Sequence, residues 1–190
     1  AICPAHYMGT LDLYRTTGDE RYLQLCQRWM RMRELVQGGD DNQDRIPFRQ
    51  QREAVGHAVR ANYLYAGAAD LYLETRDDSL LETLTACWNS VQRRKIYVTG
   101  GCGALYDGAS PDGSDQQSTI TRVHQAYGRN YQLPNSTAHN ETCAAIGNVL
   151  WNQRMWQITH QAKYADALEN SLYNAVLVGV SLDGERFFYT

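Results

Sequence analysis

The sequence predicts an all-α chain of helical hairpins that forms part of a closed α/α toroid. Three observations carry that prediction. Apolar residues recur at spacings of three and four through most of the 190 residues, the period of helices that bury one face. A helix–turn–helix signature occurs three times, as Leu13-Tyr-Arg-Thr-Thr-Gly-Asp-Glu-Arg-Tyr-Leu23, Leu71-Tyr-Leu-Glu-Thr-Arg-Asp-Asp-Ser-Leu-Leu81 and Met155-Trp-Gln-Ile-Thr-His-Gln-Ala-Lys-Tyr-Ala165. With Thr17, Thr75 and Thr159 as equivalent points, the repeats stand 58 (75 − 17) and 84 (159 − 75) positions apart. Solenoids keep a tighter period, so this spacing favours a ring with insertions of unequal length.

The elements follow in order. Residues 6–16 and 19–36 read as two helices separated by Thr17-Gly18, the second carrying Tyr22, Leu25, Cys26, Trp29 and Met32 on one stripe. Gly38-Gly-Asp-Asp-Asn-Gln-Asp44 breaks the pair, and an irregular stretch runs through Pro47. A long helix from Glu53 to Glu74 and another from Asp77 to Arg94 make the second hairpin. Between the second and third hairpins lies the longest irregular stretch, Thr99 to His139, with turns at Gly100-Gly-Cys-Gly103 and Asp107-Gly-Ala-Ser-Pro-Asp-Gly-Ser-Asp115. Connecting loops of a toroid gather at one end, and long insertions there build active sites. The chain starts without methionine and stops within the apolar run Phe187-Phe-Tyr-Thr190. Residues 1–190 are therefore expected to be an incomplete toroid, cut from a longer chain and poorly able to fold alone.

Composition excludes some classes. With 21 acidic against 18 basic residues and a formal net charge of −3, nothing steers toward nucleic acid. No apolar run approaches the ~20 residues of a membrane span. Thirteen tyrosines and four tryptophans against three phenylalanines suit surfaces that meet hydroxylated ligands such as sugars, although packing between helices accounts for most such rings. The five cysteines include no CxxC pair, so neither a disulfide framework nor a self-contained zinc finger is indicated. Cys26 and Cys87 fall on helical stripes and read as buried thiols. The sequence assigns no compartment.

The chemistry concentrates in Glu141-Thr-Cys143, which follows the proline-containing turn Tyr131-Gln-Leu-Pro-Asn135. A carboxylate and a thiolate two residues apart can supply half of a tetrahedral zinc site. The same glutamate also reads as a first-turn acid favoured by a helix dipole, and on spacing alone both readings stand. His57 sits near the start of a long helix, where a side chain can reach a ring's cavity, although a lone helical histidine is more often a packing residue. His124 and His139 flank the metal pair and could donate to a sugar hydroxyl or support a metal ligand. His160 reads as facing solvent.

Taken together, Ile96-Tyr-Val-Thr-Gly-Gly101, His124-Gln-Ala-Tyr-Gly128, Tyr131-Gln-Leu-Pro-Asn135, Glu141-Thr-Cys-Ala144 and Gly184-Glu-Arg-Phe-Phe-Tyr189 resemble, in order and spacing, the catalytic domain of glycoside hydrolase family 127, the β-L-arabinofuranosidases. The likeness runs from at least His57 to the C-terminus. It implies an (α/α)6 barrel followed by β-sandwich domains, and a retaining glycosidase whose nucleophile is a zinc-bound cysteine. Glu141 and Cys143 then match two zinc ligands; the other two are adjacent cysteines farther along, one of them the nucleophile, outside this chain. His57 and Tyr189 match substrate-contacting positions, and His124, from its place beside the metal pair, is taken as a third substrate-binding residue. One position departs from the pattern. A glutamate general acid/base is expected sixteen residues before the zinc-binding glutamate, and Gln125, which cannot exchange a proton in that role, stands there. The expected partner is an arabinose-containing glycan or related plant-glycan sugar. Two other functions fit the same framework: a sugar epimerase using His57, His124 and His139 for proton transfer, and a helical module that binds glycans without turnover.

Overall fold

The computed structural model describes residues 4–35, 38–108 and 123–189, and the side chains at 107–108 and 123–124 lie outside that description. Most of the loop at Asp107–Asp115 is likewise outside the described residues. Among the described residues six α-helices form three hairpins: α1 (His6–Thr17) with α2 (Glu20–Met32), α3 (Ala58–Thr75) with α4 (Asp78–Arg94), and α5 (Thr142–Thr159) with α6 (Ala162–Ser171).

The repeat seen in the sequence is a repeat in space. At each hairpin turn a threonine donates its hydroxyl to the carbonyl four residues back, Thr17 to Leu13 at 2.7 Å, Thr75 to Leu71 at 2.8 Å and Thr159 to Met155 at 2.8 Å. The next residue turns left-handed, with φ 69° at Gly18 and 55° at Arg76 and His160, and sends its N–H to Tyr14, Tyr72 or Trp156. This is the αL termination that stops a helix by satisfying an orphan carbonyl. Asp19 and Asp77 then cap the following helices by accepting from Arg21 N and Ser79 N, whereas Gln161 makes no side-chain cap.

Two helix boundaries differ from expectation. α2 ends at Met32 rather than residue 36. α3 begins at Ala58 rather than Glu53, because Gly56 takes φ 74° and a Cβ there would fall 1.6 Å from the Asp40 carbonyl oxygen. A chain that is left-handed and pressed against another backbone cannot continue a helix.

The hairpins make two layers of an arc. α1 packs on α3 and α3 along α5, while α2, α4 and α6 pack on their own partners, which is the inner and outer layering of an α/α toroid. α3 is enclosed on most sides, and small residues let its neighbours approach. A Cβ at Gly67 would lie 2.5 Å from that of Tyr7, and one at Gly147 of α5 would lie 2.8 Å from that of Asn62. Tyr65 and Trp151 meet at 4.6 Å between these helices. Fully burying side chains such as Phe48, Leu64 and Met155 is worth roughly 1.5–3 kcal/mol each. Cys26 and Cys87 are fully buried in this core.

The described parts of the stretch from Thr99 to His139 hold more regular structure than the irregular loop expected. They contain β2 (Leu105–Gly108) and β3 (Val123–Tyr127), which join β1 (Gly56–His57) in an antiparallel sheet of order β1-β3-β2. These strands are too short to show a period, and β1 comes from a different connection, so local pattern could not announce the sheet.

Candidate active site

The site forms where α3 and α5 begin. The two helices run parallel, as shown by Asn62 meeting Ala144 near their starts and Asp70 meeting Arg154 near their ends. Their N-cap residues, His57 and Glu141, are therefore brought to the same end of the arc. The segment before Glu141 is tied to the loop before β2 by His139 N to Ala104 O at 3.1 Å and Asn140 N to Gly103 O at 3.2 Å.

The Glu141 side chain does not cap the helix it heads. Its carbonyl accepts from Ala144 N at 2.9 Å, so it holds the N-cap position, yet its side chain makes no capping hydrogen bond. The helix end is satisfied instead by the chain's last described residue, with Thr142 N donating to the Tyr189 carbonyl at 3.0 Å. Freed from capping, the Glu141 carboxylate lies 3% exposed, with Oε1 accepting from the Tyr189 hydroxyl. Oε2 has no hydrogen-bond partner and lies 3.8 Å from His139 Nε2, itself unpartnered. Cys143 Sγ is 3.8 Å from the same Tyr189 hydroxyl. Tyr189 thus caps the helix with its backbone and grips the acid with its side chain.

Electrostatics show what this cluster lacks. Burial and the Glu141 carboxylate push the Cys143 thiol above its ordinary value. Hydrogen bonding to Glu141 and the neighbouring Cys143 push the Tyr189 phenol far up. A cation would reverse both effects. The donor set fits one half of a zinc site: a carboxylate oxygen left without a donor, beside a sulfur two residues on. Among the described residues no group of three His, Cys, Asp or Glu side chains is gathered to hold a metal, so a zinc ion here would need ligands beyond these residues.

His57 is 9% exposed with Nδ1 unpartnered. Burial first, and Arg60 second, draw its imidazole below the ordinary value, so it is neutral at pH 7. It also feels the charges of Asp41 and Glu141 and hydrogen-bonds the Gln125 side chain. Gln125 sits in β3 beside Ala126, the residue paired to both His57 and Leu105, and takes φ 55°. A left-handed residue inside a strand breaks the alternation and re-aims its side chain. His124 has its backbone in β3 opposite Asp107, and its side chain lies outside the described residues. His160 is exposed and remote, at the α5–α6 turn.

Sequence reasoning missed three participants. Tyr106 stacks edge-on against His139 with ring centroids 5.3 Å apart. Asn62 and Tyr127, both buried, bridge the elements that carry the site. Their signals are single polar residues on apolar stretches, which only the packing distinguishes.

The catalytic-domain model of the GH127 β-L-arabinofuranosidases matches residues 1–190. A non-reducing end β-L-arabinofuranosidase of Bifidobacterium longum subsp. longum is 32% identical over 208 residues, covering 98% of this chain and 29% of that protein. Among solved structures, a glycoside hydrolase is 61% identical with a TM-score of 0.95, over 100% of this chain and 31% of that one. A GH127 β-L-arabinofuranosidase from Geobacillus stearothermophilus T6 is 34% identical with a TM-score of 0.84, over 97% and 30%. A sugar epimerase from a ruminal bacterium, 13% identical with a TM-score of 0.61, shares the helical toroid fold alone. The chain spans less than a third of the length of the GH127 β-L-arabinofuranosidases it matches. Matched from end to end by the catalytic-domain model, with the arc of helices in common with solved members, this chain belongs to the GH127 β-L-arabinofuranosidase family.

Proposed function

We propose that the protein carrying this chain is a retaining glycoside hydrolase acting on β-L-arabinofuranosides or related plant-glycan sugars. In this reading Glu141 and Cys143 hold a zinc ion together with cysteines outside the chain. The observation that carries it is the Glu141 carboxylate: buried, turned away from the helix it heads, gripped on one oxygen by Tyr189 and unpartnered on the other. A buried carboxylate oxygen left without a donor is costly, and a cation would supply what it lacks. When bound, zinc keeps cysteine in its thiolate form at neutral pH and fixes its direction.

The chain's own residues then have distinct tasks. Neutral His57 accepts or donates one hydrogen bond to a sugar hydroxyl through its unpartnered Nδ1. Tyr189 orients Glu141 and stays a phenol, because the carboxylate beside it opposes ionisation. Gln125, held against His57, binds and orients at the place where a general acid would stand but moves no proton. Hydrolysis is accordingly fastest for sugars whose leaving group departs without protonation.

Two measurements on the full-length protein decide the matter: zinc content after purification and hydrolysis of an aryl β-L-arabinofuranoside. Cys143→Ser is expected to lose bound zinc and turnover together. Zinc-free protein with full activity, or a Cys143→Ser variant equal to wild type in both, would falsify the reading. Glycan binding without turnover by zinc-loaded protein would instead favour the binding module, to which Gln125 lends support. The epimerase reading draws on likeness of fold, and isomerised sugar that survives chelation would establish it.

A further inference from the structure

We propose that Asn62 is the positioning residue that sets β3, which carries Gln125, against the start of α5, which carries Glu141 and Cys143; the inference rests on the function proposed above. Asn62 lies near the start of α3 and is fully buried. Its Nδ2 donates to the Ala144 carbonyl at 2.8 Å and lies 3.4 Å from Cys102 Sγ. Its Oδ1 accepts from the Tyr127 hydroxyl at 2.7 Å. Ala144 follows Cys143 directly, and Tyr127 stands two residues beyond Gln125. One amide therefore joins the helix headed by His57 to both other elements of the site.

The chemistry fixes the orientation. A carbonyl can only accept, so the amide nitrogen must face Ala144, which leaves the amide oxygen for the Tyr127 hydroxyl. The bridge also needs close helices. At Gly147, one turn past Ala144, a Cβ would come within 2.8 Å of Asn62 Cβ and 2.9 Å of the Tyr63 ring, so glycine there lets α5 approach to within reach. An apolar side chain would fill the same slot but leave the Tyr127 hydroxyl and the Ala144 carbonyl without their partner.

A matched residue separates positioning from simple support. Asn152, also fully buried, donates to Asn148 O at 2.8 Å and accepts from Trp88 Nε1 at 2.6 Å. It joins α5 to α4, its partners among the described residues being Trp88 and Asn148. In the full-length protein, Asn62→Asp keeps the shape and the acceptor for Tyr127 but sets a carboxylate oxygen against the Ala144 carbonyl. Asn152→Asp makes the same chemical change away from the site. Both are expected to lower Tm. Only Asn62→Asp should lower kcat on an aryl β-L-arabinofuranoside, by roughly ten- to a hundredfold, the cost of displacing reacting groups by about 1 Å, with KM changed far less. Hydrogen exchange reads the same displacement without turnover or metal: peptides covering 141–145 and β3 should exchange faster in Asn62→Asp and at the wild-type rate in Asn152→Asp. Tyr127→Phe should accelerate β3 alone. The proposal is overturned if folded Asn62→Asp keeps wild-type kcat and exchange, or if Asn152→Asp loses as much of both. Should the wild-type protein show no hydrolysis, the function fails and the exchange comparison alone decides the positioning.

Discussion

The two ends of α3 and α5 are built on opposite plans. At the ends where each helix turns into its partner, three hairpins repeat one device: a threonine bonded four residues back, a left-handed residue, one N-cap residue and then the new helix. At the other ends little repeats beyond a left-handed residue before each N-cap, Gly56 at φ 74° and Asn140 at φ 43°. His57 arrives from a two-residue strand, Glu141 from a segment pinned to the loop before β2, and Tyr189 from the far end of the chain. Eighteen residues separate these ends in each helix, or about 27 Å at 1.5 Å per residue. The repeated ends hold the arc together and leave the unrepeated ends free to vary. Substitutions at the first should move stability, and substitutions at the second should move turnover.

The largest effect is expected at the unrepeated end. Gln125→Glu would place a proton donor where the resemblance leads one to expect it, beside a neutral His57. In the full-length protein, kcat/KM for substrates with poor leaving groups is expected to rise by about 10²–10⁴, the usual contribution of general acid catalysis. Substrates with activated aryl leaving groups should gain much less, and Tm should stay near wild type. Equal rates for glutamine and glutamate on a poor leaving group would remove position 125 from the acid/base role and unsettle this half of the comparison.

Asp70→Ala tests the other end. Asp70 is 2% exposed and meets Arg15 Nη1 at 3.1 Å and Arg154 Nε at 2.6 Å, so one carboxylate ties the later halves of α1, α3 and α5. Removing it leaves two guanidinium groups facing an apolar gap. A broken buried pair costs about 3–5 kcal/mol. The low end is expected, because Arg15 keeps Glu74 at 2.6 Å and Arg154 keeps the Leu150 carbonyl at 3.0 Å. The denaturant midpoint should fall accordingly while kcat, measured where the variant is folded, stays at the wild-type value. A fall in kcat under those conditions would show that the two ends are coupled through the helices.

How much the sequence disclosed follows the same division. The hairpins were legible because their causes are local: a 3.6-residue period, a threonine, a left-handed position and an aspartate cap all lie within a few residues. The sheet was not, since the register sets Gly56 against Tyr127, 71 positions later (127 − 56), and no strand among the described residues exceeds five residues. The start of α3 was misplaced for a similar reason, because what excludes a helix at Gly56 is the backbone of Asp40, not anything beside it. Glu141 was singled out from its motif, but whether it capped or faced the site depended on Tyr189, 48 residues away, whose carbonyl occupies the helix end. Asn62 carried no signal at all until Ala144 and Tyr127 stood on either side of it.

The smallest effect refines the account of the repeated end. Gly18 takes its left-handed conformation at no steric cost, whereas Arg76 and His160 hold the same conformation with a Cβ, at φ 55°. Arg76→Gly and His160→Gly should each stabilise the folded protein by a few tenths to about 1 kcal/mol, the relief of that clash less the extra freedom of glycine in the unfolded chain. Gly18→Ala should destabilise by about 1 kcal/mol. His160 is the sharper of the two gains, because its turn lacks the aspartate cap that Asp77 supplies after Arg76, leaving the left-handed residue to define the stop alone. Thermal denaturation of the three variants would measure the effects. If His160→Gly destabilises while Arg76→Gly stabilises, the third turn depends on a side-chain interaction that the other two lack, and the three turns are equivalent in backbone only.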